Sequence, residues 1–250
     1  MTTNQRSAQI LLPIFLFLFI NLNAQDTVKW SSRGNSYYFL KQGELFENTL
    51  SKNELRKIVS AKQLTPRGGS APLQIEFFSF TPGGTKLLLF TNSQRVWRIN
   101  TRGDYWLLDL TSGELRKLGK DRPASSLMFA KISPDEKSVA YVSMNNIYVE
   151  DLASGNIKAL TTDGVRKLFN GTFDWVYEEE FACRDGIRWS PDSQSILYWQ
   201  IDANDTREYY IINNTDSIYP KVLAVEYPKA GERPSACRLG VANIANGMTT

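Results

Sequence analysis

The 250-residue sequence contains no histidine and only two cysteines. The first absence removes the imidazole that a Ser-His-Asp or Cys-His nucleophile needs to take its proton. It also removes every His-containing metal site, and two cysteines far apart in sequence make a poor zinc site. A Gly-x-Ser-x-Gly elbow is missing as well; Gly68-Gly69-Ser70-Ala71-Pro72 lacks the final glycine. There is no phosphate-cradling glycine loop. Lys and Arg are scattered and the net charge is only +3, so nothing resembles the basic patch of a nucleic-acid surface. No cofactor is expected. The chain has no means of its own for hydrolysis by triad chemistry.

Long apolar runs are also scarce. The longest, Ile10 to Ile20, is interrupted by Pro13, follows Arg6 and leads to Ala24. Eleven residues are too few to span a bilayer comfortably, so residues 1–24 read as a cleaved secretory signal. The expected location is secreted or periplasmic; an uncleaved signal anchor, and hence membrane attachment, is the alternative. Export would permit Cys183 and Cys237 to pair, but sequence alone leaves that open. The sequons at Asn170, Asn204 and Asn213 matter only in a host that glycosylates secreted proteins.

The hydrophobic content of 42% and charged content of 22% are those of an ordinary globular protein. Four segments repeat an aromatic or apolar residue, a small hydroxyl residue, a turn and a β-rich run. They contain Trp30-Ser31-Ser32, Phe80-Thr81-Pro82-Gly83-Gly84, Ile132-Ser133-Pro134-Asp135 and Trp189-Ser190-Pro191-Asp192. Aligning Ser32, Pro82, Pro134 and Pro191 gives spacings of 50, 52 and 57 residues. Asp109-Leu110-Thr111-Ser112-Gly113 and Asp151-Leu152-Ala153-Ser154-Gly155 each read as a turn between two strands. Strand, turn and strand at this period mark an all-β fold, a β-propeller with one blade per repeat. Four repeats reach about residue 205, and the remainder could supply most of a fifth, with Asn243–Met248 as a further strand entering a turn. The expectation is about four to five blades of a larger ring. Most aromatic rings fall in these strands and are expected in the core between blades.

One stretch does not belong to the repeat: Asp174-Trp175-Val176-Tyr177-Glu178-Glu179-Glu180-Phe181. Three adjacent carboxylates repel unless water or a cation relieves them. A solvated acidic turn is the plain reading. A primary ammonium would suit two of them, because its three N–H donors can be shared between both carboxylates. Trp175 and Tyr177 are expected to pack this turn in place. Arg98, in Val96-Trp97-Arg98-Ile99, is expected at the propeller mouth, where it could donate to a carbonyl.

These blocks resemble the dipeptidyl peptidase IV family, serine exopeptidases related to prolyl oligopeptidase. The resemblance runs from about Gln94 to Ile244. It is carried by Asp174–Phe181, by the Trp97-Arg98 pair ahead of Asp104-Tyr105-Trp106-Leu107-Leu108-Asp109-Leu110, by Trp189-Ser190-Pro191-Asp192, and by Tyr227-Pro228-Lys229-Ala230-Gly231. It implies an eight-bladed propeller capped by an α/β-hydrolase domain that carries the Ser, Asp and His of the triad. Residues 25–250 would then be the front part of the propeller, with the later blades and the hydrolase domain absent. It further implies that Glu179 and Glu180 hold the free amino terminus of a peptide substrate while Arg98 binds its main-chain carbonyl. The activity implied is release of N-terminal Xaa-Pro or Xaa-Ala dipeptides, and a homodimer formed through the full-length protein would be compatible with it. A non-catalytic secreted propeller that binds or scaffolds partners is the competing reading; a sugar-binding secreted propeller is a third.

Overall fold

The computed structural model describes residues 28–52 and 54–250, so the expected signal over residues 1–24 lies outside the described residues. The first blade is the antiparallel sheet β1 (Lys29–Trp30), β2 (Ser36–Lys41), β3 (Glu44–Thr49) and β4 (Glu54–Val59), in that order. The second comprises β5 (Ile75–Phe80), β6 (Lys86–Val96), β7 (Ile99–Asp109) and β8 (Leu115–Lys117). The third comprises β9 (Leu127–Ile132), β10 (Ser138–Ser143), β11 (Asn146–Asp151) and β12 (Ile157–Ala159). A two-residue pairing of β7 with β9 joins these two blades.

The repeated turns explain why each blade starts where it does. Ser133 Oγ donates to Asp135 Oδ1 at 2.6 Å and accepts the Ser138 N–H at 3.0 Å, while Asp135 Oδ1 also accepts the Lys137 N–H. Ser190 and Asp192 repeat the arrangement at 2.5 Å, with Ser195 donating to Ser190 Oγ at 2.9 Å. Side-chain acceptors thus satisfy the turn's N–H groups before the next strand pairs.

Alternation along the strands builds one core between each pair of blades. Leu87 and Leu89 pack with Leu45, Phe78 and Leu108 between the first and second. Leu88 and Phe90 face the other way, onto Tyr105, Val139 and Tyr141 of the second and third. Ala140 and Val142 then pack on Ile187, Ile196, Tyr198 and Ala242 of the fourth. Strands apolar on both faces are what a sheet buried on both sides requires.

The fourth blade is interrupted twice. β13 (Leu168–Asn170) and β14 (Ile187–Trp189) both pair with one edge of β15 (Ser195–Asp202). Between β13 and β14 the chain leaves the sheet, forms α1 (Trp175–Phe181) and returns. The exit and return are pinned together: Gly186 donates to the Gly171 carbonyl at 3.0 Å, and Gly171 to that of Trp199 at 2.8 Å. Gly171 has φ +75°, and a Cβ there would lie 2.6 Å from Ile187 Cγ2, so this crossing needs glycine. The second excursion is the hairpin β16 (Glu208–Asn213) and β17 (Lys221–Glu226), after which β18 (Ala236–Asn243) pairs with β15 along its whole length.

The described residues therefore form four blades, the lower end of the expectation. Residues beyond 205 complete the fourth blade instead of starting a fifth. Asn243–Met248 is a turn, closed by Gly247 N–H on the Asn243 carbonyl at 2.8 Å. Several rings also lie outside the expected core: Tyr210 and Tyr219, on and beside the second hairpin, are exposed, as is Trp97.

Candidate functional site

The acidic stretch is a helix, not a turn. Asp174 caps it: the backbone is extended at Asp174, and its Oδ1 accepts the Tyr177 N–H at 3.1 Å. Ala182 ends it in the left-handed region at φ 56°, with the Cys183 N–H on the Tyr177 carbonyl at 3.0 Å. Asp174 is the sequence signal for this cap, but Trp175, Val176 and Tyr177 after it are weak helix formers, which obscured it.

Helical geometry separates the three carboxylates, because consecutive side chains diverge by about 100°. Glu178 turns inward and is 1% exposed. Its nearest cation is Arg184, with Nε 3.5 Å from Glu178 Oε1. Burial pushes its carboxyl up to about 7, Arg184 draws it back, and the neighbouring Glu179 raises it further. Glu180 is exposed and takes part in no ion pair or hydrogen bond among the described residues.

Glu179 lies between these extremes, its side chain only 3% exposed. Its Oε2 meets Arg98 Nε at 2.5 Å, while its buried Oε1 has no hydrogen-bond partner. Arg98 reaches this point because β6 and β7 are 11 residues each and extend past the blade as an arm. Val96 pairs with Ile99 at its tip, leaving Trp97 and Arg98 as the two turn residues. The arm is braced at its base: Glu76 Oε1 accepts the Ser93 N–H at 2.9 Å, and Asn92 donates to Asp104 at 2.9 Å. Two segments distant in sequence, on the second and fourth blades, therefore bring Arg98 onto Glu179, while Glu180 follows on the exposed side of the helix. The Arg98 side chain stays 77% exposed, so one buried carboxylate is neutralised by a cation still open to solvent.

Sequence reasoning named Trp175 and Tyr177 but missed Ser235 and Tyr227, the partners through which they and Asp174 hold the helix. The Tyr177 hydroxyl donates to the Ser235 carbonyl at 3.1 Å, and Ser235 Oγ donates to the second Asp174 oxygen. The Trp175 ring lies tilted against that of Tyr227, beyond the hairpin of β16 and β17, with centroids 4.6 Å apart, so Trp175 and Tyr177 do pack the acidic element in place. Among the sequons, Asn170 is fully buried and donates to Asp163 at 2.8 Å, which closes it to glycan attachment in the folded chain.

Glu178 makes stability depend on pH. Its folded-state carboxyl sits near 7 against an ordinary 4.5, so its contribution is complete below about 4.5 and is lost as pH rises through about 7. Glu178→Gln cannot titrate. Between pH 4.5 and pH 8 its stability is expected to gain on that of the parent by roughly 1–3 kcal/mol, read from urea unfolding at each pH. A difference that does not change with pH would refute the assignment.

The described residues thus form blades of a β-propeller with an acidic helix on one blade and an arginine-tipped arm on another. The chain belongs to the dipeptidyl peptidase IV family: residues 81–250 match the family model described as "Dipeptidyl peptidase IV (DPP IV) N-terminal region". Dipeptidyl aminopeptidase B of Saccharomyces cerevisiae is 33% identical over 182 residues, covering 71% of this chain and 22% of that protein. Dipeptidyl peptidase 4 of Trichophyton rubrum is 32% identical over 235 residues, covering 92% of this chain and 28% of the relative. The crystal structure of Porphyromonas gingivalis dipeptidyl peptidase 4 superposes with a TM-score of 0.81 at 25% identity, over 91% of this chain and 32% of that one. The chain spans less than a third of the length of these relatives.

Proposed function

We propose that this chain is the substrate-selecting propeller portion of a serine-type dipeptidyl peptidase that releases Xaa-Pro or Xaa-Ala dipeptides from peptide amino termini. The observation that carries the reading is Glu179: a buried carboxylate with one oxygen on Arg98 and the other without a partner, beside the open carboxylate of Glu180. An incoming ammonium supplies up to three charge-assisted donors to that pair. Arg98 then donates to the carbonyl of the bound peptide, and its fork geometry suits that task. With the amino terminus and one carbonyl fixed, the reacting bond falls at a set distance from the helix, so the propeller contributes positioning to chemistry performed elsewhere. This chain has no histidine, so the proton-transferring base belongs to another part of the enzyme.

The blade face formed by β15 and β18 supports further propeller beyond these four blades. Leu197, Trp199, Leu239 and Val241 lie exposed there, on the side away from the third blade. The second hairpin supports the homodimer reading: it stands outside the blades and exposes Ile212, Tyr210 and Val222, with Ile218 and Tyr219 in its loop. Charged replacements at Ile212 and Val222 are expected to convert a dimer to monomer in light scattering; an unchanged mass would reject that surface. Export through a cleaved signal at residues 1–24 completes the proposal.

The test is made on the native gene product. Its intact mass should lie well above 28.4 kDa, and it should release dipeptides from free peptides but not from their N-acetylated forms. A product of this mass or less that binds peptide amines and releases nothing would favour the non-catalytic binding module.

A further inference from the structure

The two cysteines lie on one cavity beside the end of α1. Cys183 follows the residue that ends the helix, and its N–H is bonded to the Tyr177 carbonyl at 3.0 Å. The hydroxyl of the same tyrosine is bonded to the Ser235 carbonyl at 3.1 Å, two residues before Cys237. Tyr177 therefore holds the backbone beside both. Cys183 and Cys237, with Phe173, Tyr177 and Trp199, line one cavity of about 450 Å³. Both thiols are free in the structure. Burial pushes the Cys237 thiol up, and the charges of Cys183 and Asp174 add to the shift, as expected of neighbouring sulfurs. Cys237 is fixed in β18 opposite Ile201, whereas residues 182–186 belong to no helix or strand. The Cys183 side can therefore adjust to the Cα separation below about 7 Å that a disulfide needs.

We propose that Cys183 and Cys237 form an intramolecular disulfide that fastens the C-terminal end of α1 to β18. The oxidant is a disulfide, either a small one such as glutathione disulfide or that of an exchange protein. One cysteine thiolate attacks it, forming a mixed disulfide and expelling one thiolate; the second cysteine thiolate then attacks the mixed disulfide and expels the other. Two protein thiols lose two protons and two electrons, and the oxidant's disulfide becomes two thiols. The bond closes a loop between positions 54 apart and immobilises the helix that bears Glu179 and Glu180. Its benefit to amine capture rests on the function proposed above; its formation does not.

The experiment equilibrates the protein with glutathione and glutathione disulfide at an oxidising ratio, then denatures and alkylates it. The expected result is a mass lighter by two hydrogen atoms, no alkylation before reduction, and one linked peptide pair joining Cys183 to Cys237. Reduction should lower the thermal midpoint by about 5–10 °C and speed amide exchange in α1 at least tenfold. In Cys237→Ser, one thiol should alkylate without reduction, and reductant should cause no further fall. Two alkylatable thiols in the oxidised parent, or a bond between two chains, would overturn the proposal. A disulfide that forms in a protein unable to hold peptide amines would overturn the functional reading alone.

Discussion

Replacing Glu180 with alanine in the complete peptidase proposed above is expected to lower kcat/KM for Xaa-Pro substrates about 30- to 4,000-fold while leaving the fold intact. The scale follows from the 2–5 kcal/mol typical of truncating one partner of a desolvated, hydrogen-bonded charge pair, at about 1.4 kcal/mol for each tenfold. The fold should survive because Glu180 is exposed and holds no other group in place. Glu179→Ala should lose at least as much, since it also releases Arg98 from the geometry set by their 2.5 Å pair. Glu180→Gln should fall between, keeping an acceptor but losing the charge. The control is a substrate with a blocked amino terminus: the parent and Glu180→Ala should treat it alike, because neither has an ammonium to hold, whereas Glu179→Ala should still lose the part carried by Arg98. Equal kinetics for parent and variants on free peptides would sink the amine-site assignment.

Much of the scaffold was legible because it is local. The Ser-Pro-Asp turns carry their own hydrogen-bond acceptors, and the runs Leu87–Phe90 and Val139–Val142 are apolar on both faces, as inter-blade strands must be. The departures are where tertiary structure decides. A run of three glutamates reads as solvated, yet only Glu180 is exposed; Glu178 turns inward beside Arg184, a residue no local pattern pairs with it. The residues beyond 205 look like the start of another repeat because β18 has strand chemistry. What assigns it to the fourth blade is its pairing with β15, which no local pattern reveals. Arg98 was placed near a ligand by resemblance, but its reach comes from the length of the β6–β7 arm and from the braces at Ser93 and Asn92. The proposed site therefore depends on the helix and the arm that carry its charged residues as much as on those residues.

Asp174 tests that dependence, because it touches none of the proposed ligand groups. Its side chain is buried, one oxygen capping α1 at Tyr177 and the other accepting from Ser235. Asp174→Ala removes a cap worth about 1 kcal/mol and leaves the buried Ser235 hydroxyl short of an acceptor, a further cost of about 1–3 kcal/mol. Thr206, 3.1 Å from Ser235 Oγ, can recover part of it. The net loss should be roughly 1.5–3 kcal/mol, seen as a thermal midpoint lower by about 3–12 °C. The larger consequence is local. Without its cap a seven-residue helix has too few internal bonds to persist, so Glu179 and Glu180 lose their fixed directions while still present in the chain. Binding of peptide amines to the variant should fall at least tenfold at temperatures where the blades remain folded. Asp174→Asn keeps an acceptor for the Tyr177 N–H and should retain most of both properties. If Asp174→Ala bound amines like the parent, the helix would not be what orients the carboxylates, and the arm bearing Arg98 would have to hold the ligand on its own.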